Sequence, residues 1–270
     1  MERVGLIAGN GRFPLLFAQT ARAAGVAVVA VAHEGETLAE LAQAVDSLTW
    51  IKVGELDRVI EVFRSHQVER AVMAGGIHKA TLLEHFAPDQ RALRVLARAT
   101  TFSDDAVLRA MAAELESEGI AVVDSLLFLQ PIVTPAGVLT TQAPDERQWR
   151  DIRHGFEVAK GIGRYDIGQS VVVQSGMILA VEAIEGTDAA MRRAGELGAR
   201  GAVLVKASKP GQDLRFDVPA AGPETVAVAR AAGIAVLALE AGKTLMLDRA
   251  EFLAQAQAAA VAVVGVAAES

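Results

Sequence analysis

Short β-branched runs alternate with amphipathic segments through the first half of the chain. Val4 to Ala8 is apolar and ends in Gly9-Asn10-Gly11, and Phe13 to Ala24 then keeps helical spacing as far as Gly25. Val26 to Ala32 is a second apolar run and Leu48 to Val53 a third. The stripe of Leu56, Val59, Ile60 and Phe63 predicts a helix beginning near Glu55. Ala71 to Ala74 is a fourth run, again closed by glycines, Gly75-Gly76. Strand, glycine turn, helix and strand in succession predict parallel strands covered on both faces, a Rossmann-like arrangement.

Past Ser103, the residues Val107, Leu108, Met111 and Leu115 line one helical face up to Gly119, and Ile120 to Val123 returns to strand. Pro131, Pro135, Gly137 and Pro144, with Thr140, Thr141 and Gln142, break this rhythm. The expected fold class is therefore α/β: an N-terminal Rossmann-like parallel-sheet domain over 1–132, a linker over 133–146, and a mixed α/β C-terminal domain over 147–270. In the second half, a helix over about 147–162 precedes Ser170 to Gln174 and Met177 to Ala183, whose Ser175-Gly176 junction is a hairpin signal. Ala202 to Lys206, a helix from Glu224 to Ala232, and strands at Ile234 to Leu239 and Thr244 to Leu247 follow. The Ala- and Val-rich tail, Ala256 to Ala268, reads as a helix and then a short buried strand.

Composition narrows the function classes. With 52% hydrophobic and 22% charged residues in 270, the chain is not globally disordered. A formal net charge of −7 argues against gripping nucleic acid through bulk electrostatics. The absence of cysteine removes disulfides, thiolate zinc sites and cysteine nucleophiles, and fits a reducing cytoplasm. The N-terminus reads as a strand, not a signal peptide, and no apolar run reaches the roughly 18 residues of a membrane span. His33, His66, His78, His85 and His154 lack metal-ligand spacing and read as surface residues.

Several segments carry candidate chemistry. Gly9-Asn10-Gly11 after the first strand permits a tight turn with backbone N–H groups aimed at an anion, and Gly75-Gly76 is expected at the same sheet edge. Glu34, after the second strand, offers the ribose carboxylate of a dinucleotide site. Ser103-Asp104-Asp105 fits either helix capping or a hard-cation site. Arg164, Asp166 and Gln169 combine a guanidinium, a carboxylate and an amide on one irregular segment, suited to phosphate and sugar or to a capped loop with a salt bridge. Glu182 stands in an otherwise apolar run and needs a partner or solvent, Glu185-Gly186 follows, and Thr187 is an expected N-cap. The densest cluster holds Lys206, Lys209 and Arg215 with Asp213 and Asp217, the mixture phosphoryl transfer requires.

These motifs, in order, resemble one family. Gly-Leu-Ile-Ala-Gly-x-Gly stands at 5–11, Ala-Gly-Gly at 74–76 and Ser-Asp-Asp-Ala at 103–106. Ile-Gly-Arg-x-Asp-Ile-Gly-Gln follows at 162–169, Val-Glu-Ala-x-Glu-Gly-Thr-Asp at 181–188, and Lys-Ala-x-Lys-Pro-x-Gln-Asp-x-Arg-x-Asp-x-Pro at 206–219. The chain resembles the LpxI family, UDP-2,3-diacylglucosamine pyrophosphatases of lipid A biosynthesis, over essentially its whole length. One departure is Ala207-Ser208-Lys209-Pro210, where the family often has Ala-Pro-Lys-Pro; it removes no charge.

The resemblance implies a Mg²⁺-dependent hydrolase that splits UDP-2,3-diacylglucosamine into UMP and 2,3-diacylglucosamine 1-phosphate (lipid X), with the active site between the two domains. It implies Asp217 as the catalytic carboxylate, expected to help bind Mg²⁺ or to orient water, with Lys206 and Arg215 offsetting developing charge; the paired carboxylates at 104–105 make Asp105 the other candidate Mg²⁺ ligand. Gly9, Asn10, Gly11, Gly75, Gly76, Arg164, Asp166, Gln169, Glu182, Glu185, Gly186, Thr187 and Lys209 are the expected substrate-binding residues. A lipid-linked nucleotide sugar implies transient contact with the inner leaflet by a cytoplasmic protein; a homodimer is compatible and no nucleic-acid partner is expected. Two other readings stay open: a non-catalytic UDP-sugar or lipid-binding protein, and a nicotinamide-dependent oxidoreductase built on the first glycine turn.

Overall fold

The computed structural model describes residues 2–78, 86–98, 104–216 and 218–267. The chain separates into two compact units, Met1–Gln130 with Asp213–Asp217, and Pro131–Gln212 with Val218–Ser270.

In the first unit, β1 (Arg3–Ala8), β2 (Ala27–His33), β3 (Ser47–Ile51), β4 (Arg70–Ala74) and β5 (Ala121–Val122) form a parallel five-stranded sheet in the order β3-β2-β1-β4-β5. From β1 the chain winds outward to β3 and then returns to the other side of β1. The carboxyl ends of β1 and β4 are therefore a topological switch point, where parallel sheets open a crevice. Val4 to Ala8 are all buried because helices cover both faces. On one face Phe17 of α1 (Phe13–Ala23) meets Phe128 edge-on, with ring centroids 5.5 Å apart. On the other, α3 (Leu56–Ser65), α4 (Gln90–Arg98) and α5 (Asp104–Ser117) pack over Ile7, Val29, Val31 and Met73. Gly5 is needed there, since a Cβ would stand 2.8 Å from the Phe63 ring. The short α2 (Leu41–Ala44) lies between β2 and β3 in sequence.

The second unit is built on six strands in the order β6-β13-β11-β9-β7-β8. These are β6 (Gly137–Val138), β7 (Ser170–Gln174), β8 (Met177–Val181), β9 (Ala202–Lys206), β11 (Ile234–Glu240) and β13 (Ala262–Val266). β9, β11 and β13 are parallel, whereas β7 runs antiparallel to both β8 and β9, as the hairpin signal predicts. Strand alternation sorts the core into two layers. Val172, Leu204 and Leu237 face α7 (Thr187–Glu196), α8 (Pro223–Ala231) and α9 (Arg249–Ala258). Val171, Val173, Val203 and Val205 face α6 (Glu146–Arg164). Gly155 lets α6 approach, because a Cβ would stand 2.6 Å from the Val205 methyl. A capping box starts α6: Asp145 accepts from Gln148 N at 2.7 Å and Gln148 Oε1 accepts from Asp145 N at 3.0 Å. A separate parallel pair joins β10 (Ala220–Ala221) to β12 (Leu245–Met246).

Two expectations differ from this architecture. The stretch 133–146, expected as a linker, carries β6, the edge strand that pairs antiparallel with β13. Pro135 and Pro144 flank this two-residue strand, which is too short to show a period of its own. The segment 213–216, expected within the C-terminal domain, packs with the first unit. Phe216 is its anchor, buried in the cluster that contains Phe63, Ala112 and Leu115.

Candidate functional site

In the first unit the fold brings the two glycine turns together. Gly9 N donates to Ala74 O and Asn10 N to Gly76 O, both at 2.8 Å, so the ends of β1 and β4 are closed by backbone bonds. A Cβ on Gly9 would collide with the Gly76 carbonyl oxygen, and one on Gly75 (φ +81) with that of Asn10. Gly11 is required for conformation alone, having φ +76 with open space around it. Asn10 Nδ2 donates to Glu36 Oε2 at 3.1 Å, and Asn10 Oδ1 accepts from Gly76 N at 3.3 Å.

Glu36, not Glu34, is the carboxylate at this crevice. Glu34 is exposed, while the Glu36 side chain is fully buried and accepts from His78 N at 3.1 Å and faces His78 Nδ1 at 2.9 Å. After the Gly35 turn the chain is tied to the end of β1, where Thr37 Oγ1 donates to Ala8 O at 2.7 Å. Nothing in the run His33-Glu34-Gly35-Glu36 distinguishes the two carboxylates except that turn. His33, read as a surface residue, is buried, with Nδ1 2.8 Å from Ala8 O. Burial lowers its pKa, partly offset by the Ala8 carbonyl and by Glu36.

In the second unit a different set of side chains meets at one sheet edge, formed by the end of β9, the start of β7 and the turn after β8. Register places Ser170 opposite Lys206, and Val171 opposite Val181. Lys206, only 8% exposed, donates to Thr187 Oγ1 at 3.0 Å. Thr187 donates to Glu182 Oε1 at 3.0 Å and lies 3.1 Å from Ser170 Oγ, and Gln169 N reaches Glu182 Oε2 at 3.4 Å. Glu182 thus has the partners its apolar surroundings demanded. Thr187 is not the N-cap of α7: Gly186 takes that position at φ +84, leaving the hydroxyl to bridge a buried cation and a buried carboxylate. Gln169 Oε1 is buried with no hydrogen-bond partner among the described residues. Gly168 is held against Glu182, whose carbonyl carbon would stand 2.8 Å from a Cβ there.

Around this core the remaining expected residues divide. Lys209 pairs with Asp166, and its N–H donates to Gln212 Oε1 at 2.7 Å. Glu185 is exposed to Arg193 at 2.6 Å; its own backbone N–H, then Arg193 and Ala183 N, hold its carboxyl below the usual range against a smaller opposing effect of burial. Arg164 ends α6 exposed, with no partner among the described residues, so it does not join the Lys206 cluster. Arg215 belongs to the first unit, where Asp213 accepts from it through both oxygens at 2.9 and 2.8 Å, and Glu116 pairs with it at 3.0 Å. Arg215 keeps Asp213 below the ordinary carboxylate range. Asp217 lies outside the described residues; Asp105 falls in the first turn of α5, and its side chain is likewise not described.

Sequence reasoning passed over Glu240, the last residue of β11. It is fully buried and takes hydrogen bonds from Lys160 Nζ at 2.9 and 2.7 Å, from Ser208 N and Ser208 Oγ at 2.7 Å each, and from Lys243 Nζ at 3.0 Å. Burial alone would raise its pKa; Lys160, Ser208 and Lys243 outweigh that and hold it below the usual range. The available signal was an apolar strand, Ile234 to Leu239, ending in a carboxylate one residue past the position opposite Lys206.

Comparison with known proteins decides the family. The LpxI N-terminal domain matches residues 3–132 and the LpxI C-terminal domain residues 135–264. The chain belongs to the LpxI family. A relative from Caulobacter vibrioides, the UDP-2,3-diacylglucosamine pyrophosphatase LpxI, is 34% identical over 279 residues, covering 98% of each chain. Among solved structures, the biotin carboxylase subunit of pyruvate carboxylase aligns at 13% identity and TM-score 0.28, over 64% of this chain and 35% of that one. Phosphoribosylglycinamide synthetase from Anaerococcus prevotii aligns at 12% identity and TM-score 0.25, over 68% and 39%. Likenesses that slight carry nothing about this LpxI-family chain.

Proposed function

We propose that this chain hydrolyses the pyrophosphate of UDP-2,3-diacylglucosamine, giving UMP and 2,3-diacylglucosamine 1-phosphate. Water adds to one phosphorus, the bridging P–O bond breaks, and each product leaves with one phosphate. The carrying observation is the buried Lys206 ammonium, held by Thr187 at a sheet edge in a chain of the LpxI family. A preorganised ammonium in a water-poor site offsets charge on phosphoryl oxygens far better than a solvated one does. Lys209, paired with Asp166, supplies a second cation three residues further on, and Gln169 Oε1, a buried acceptor with no donor among the described residues, suits an N–H or O–H of the nucleotide or sugar. Asp217 is the proposed carboxylate that orients and deprotonates water. The closed glycine turns at 9–11 and 75–76, with Asn10, are proposed to bind the uridine diphosphate or the sugar.

Mg²⁺ is proposed as cofactor on the family resemblance. The side chains expected to hold it, Asp217 and Asp105, are not among those described, and among the described residues no group of three or more His, Asp or Glu able to hold a cation gathers. Contact with the inner leaflet is likewise proposed. Among the described residues no helix is long and apolar enough to cross a membrane. Tyr165 (81% exposed), Ile167 (48%) and Ile184 (89%) stand on the two turns that Gly168 and Glu182 pack together, and offer apolar contact for acyl chains.

The test is incubation with UDP-2,3-diacylglucosamine after EDTA treatment, with and without added Mg²⁺, following UMP. Mg²⁺-restored UMP release that Asp217→Ala abolishes in a folded protein is the expected result. Tight substrate binding with no UMP would instead establish a binding protein.

A further inference from the structure

Ser208 lies between Lys206 and Lys209, and both of its backbone groups are fixed by ions. Its N–H donates to Glu240 Oε2 at 2.7 Å, and its carbonyl accepts from Lys160 Nζ at 2.8 Å. Its hydroxyl also donates to Glu240 Oε2, at 2.7 Å. Lys160 comes from α6 and Glu240 from β11, so one residue of the loop is tied to a helix and to the neighbouring strand at once. The next residues are wedged from a second direction: a Cβ on Gly163 would stand 3.1 Å from Lys209 Cα and 3.0 Å from Pro210 Cδ. A buried ionic node is a costly way to gain stability, because well-packed apolar side chains do as well or better. What such a node supplies that apolar packing does not is direction, with each donor pointed at a particular oxygen.

We infer that Glu240 is a positioning residue: through Ser208 and Lys160 it fixes the backbone on which Lys206 and Lys209 are carried, and so sets where the two ammonium groups stand against the phosphoryl oxygens. The inference rests on the proposed hydrolysis. Glu240 is fully buried and acts through Ser208. Its ionisation is part of the device, because a neutral amide cannot accept from Ser208 N, Ser208 Oγ and two ammonium groups together. Catalysis by fixed charges loses rate when those charges shift by a fraction of an ångström, whereas ground-state binding tolerates such a shift better.

The test uses the full chain, with two variants and three readouts: kcat, KM and Tm. Glu240→Gln removes the charge and keeps the shape. Gly163→Ala leaves every charge in place but presses on Lys209 and Pro210, and because alanine is the better helix former it does not weaken α6 itself. The expected result is a kcat at least tenfold down in both variants with KM within threefold of the wild type, and a Tm well above the assay temperature in both. Wild-type kcat in folded Glu240→Gln, or a kcat that falls only in proportion to lost folded protein, overturns the positioning role of Glu240. Absence of UMP from the wild type itself, measured in the same series, overturns the hydrolase reading first.

Discussion

Thr187→Val is the most informative single change at the second unit's sheet edge, because it alters shape little and removes one hydroxyl. That hydroxyl donates to Glu182 at 3.0 Å, accepts from Lys206 at 3.0 Å and meets Ser170 at 3.1 Å. A hydrogen bond to a charged partner contributes about 1.5–3 kcal/mol and a neutral one about 0.5–1.5 kcal/mol. The full loss is offset by whatever direct contact Lys206 and Glu182 regain, leaving a net destabilisation of about 2–4 kcal/mol. Thr187→Ser keeps the hydroxyl, forfeits one methyl, and costs about 1 kcal/mol. Urea denaturation of both variants measures the difference directly, as a shift of midpoint at constant slope. UMP release at saturating substrate measures the catalytic side, where Thr187→Val lowers kcat and Thr187→Ser largely restores it. If the two variants unfold at the same urea concentration, the hydroxyl bridge does not hold Lys206 and Glu182, and the account of this edge is wrong.

Two further outcomes follow from the first unit. Gly9→Ala presses a methyl into the Gly76 carbonyl and to 2.8 Å from the Gly75 carbonyl, straining the bonds that join the two turns, at a cost of about 2–4 kcal/mol; Gly11→Ala meets open space and costs about 1–2 kcal/mol for its positive φ alone. Equal losses in thermal or urea unfolding would show that the turns do not close on each other. His33 is held below its ordinary pKa by burial, so the unfolded chain takes up its proton first as pH falls. Stability is then fully present above about pH 6.5 and drains as pH drops toward the lower folded value, and His33→Gln removes that part of the slope. A pH–stability curve unchanged by His33→Gln refutes the burial argument.

The succession of apolar runs and glycine turns predicts the strands of both units well, because buried parallel strands are written as unbroken β-branched segments. Val4 to Ala8 and Ala202 to Lys206 are clear cases. The hairpin was equally readable, since Ser175-Gly176 adopts the positive φ that a two-residue turn demands. What pattern alone could not show was long-range pairing. Gly9 meeting Gly76, and Ser208 meeting Glu240, each depend on strand order, which local periodicity does not encode. Two-residue strands such as β6 are too short to show a period at all, so prolines there read as a linker. Glu36 and Glu240 escaped notice for one reason: a carboxylate beside a turn looks solvated until the fold is known to bury it. Thr187 is the converse, a residue whose local role as a cap was plausible and whose actual partners lie 5 and 19 positions away.

The buried Lys206 ammonium is the group on which the proposed pyrophosphate cleavage depends. The most direct test of that dependence is the initial rate of UMP release from UDP-2,3-diacylglucosamine by wild type and by Lys206→Met, with circular dichroism to verify that both are folded. The wild type is expected to release UMP and the sugar 1-phosphate in equal amounts. Lys206→Met is expected to lose at least about 100-fold in kcat, or about 2.7 kcal/mol of transition-state stabilisation. A folded Lys206→Met that turns over like the wild type would contradict that dependence.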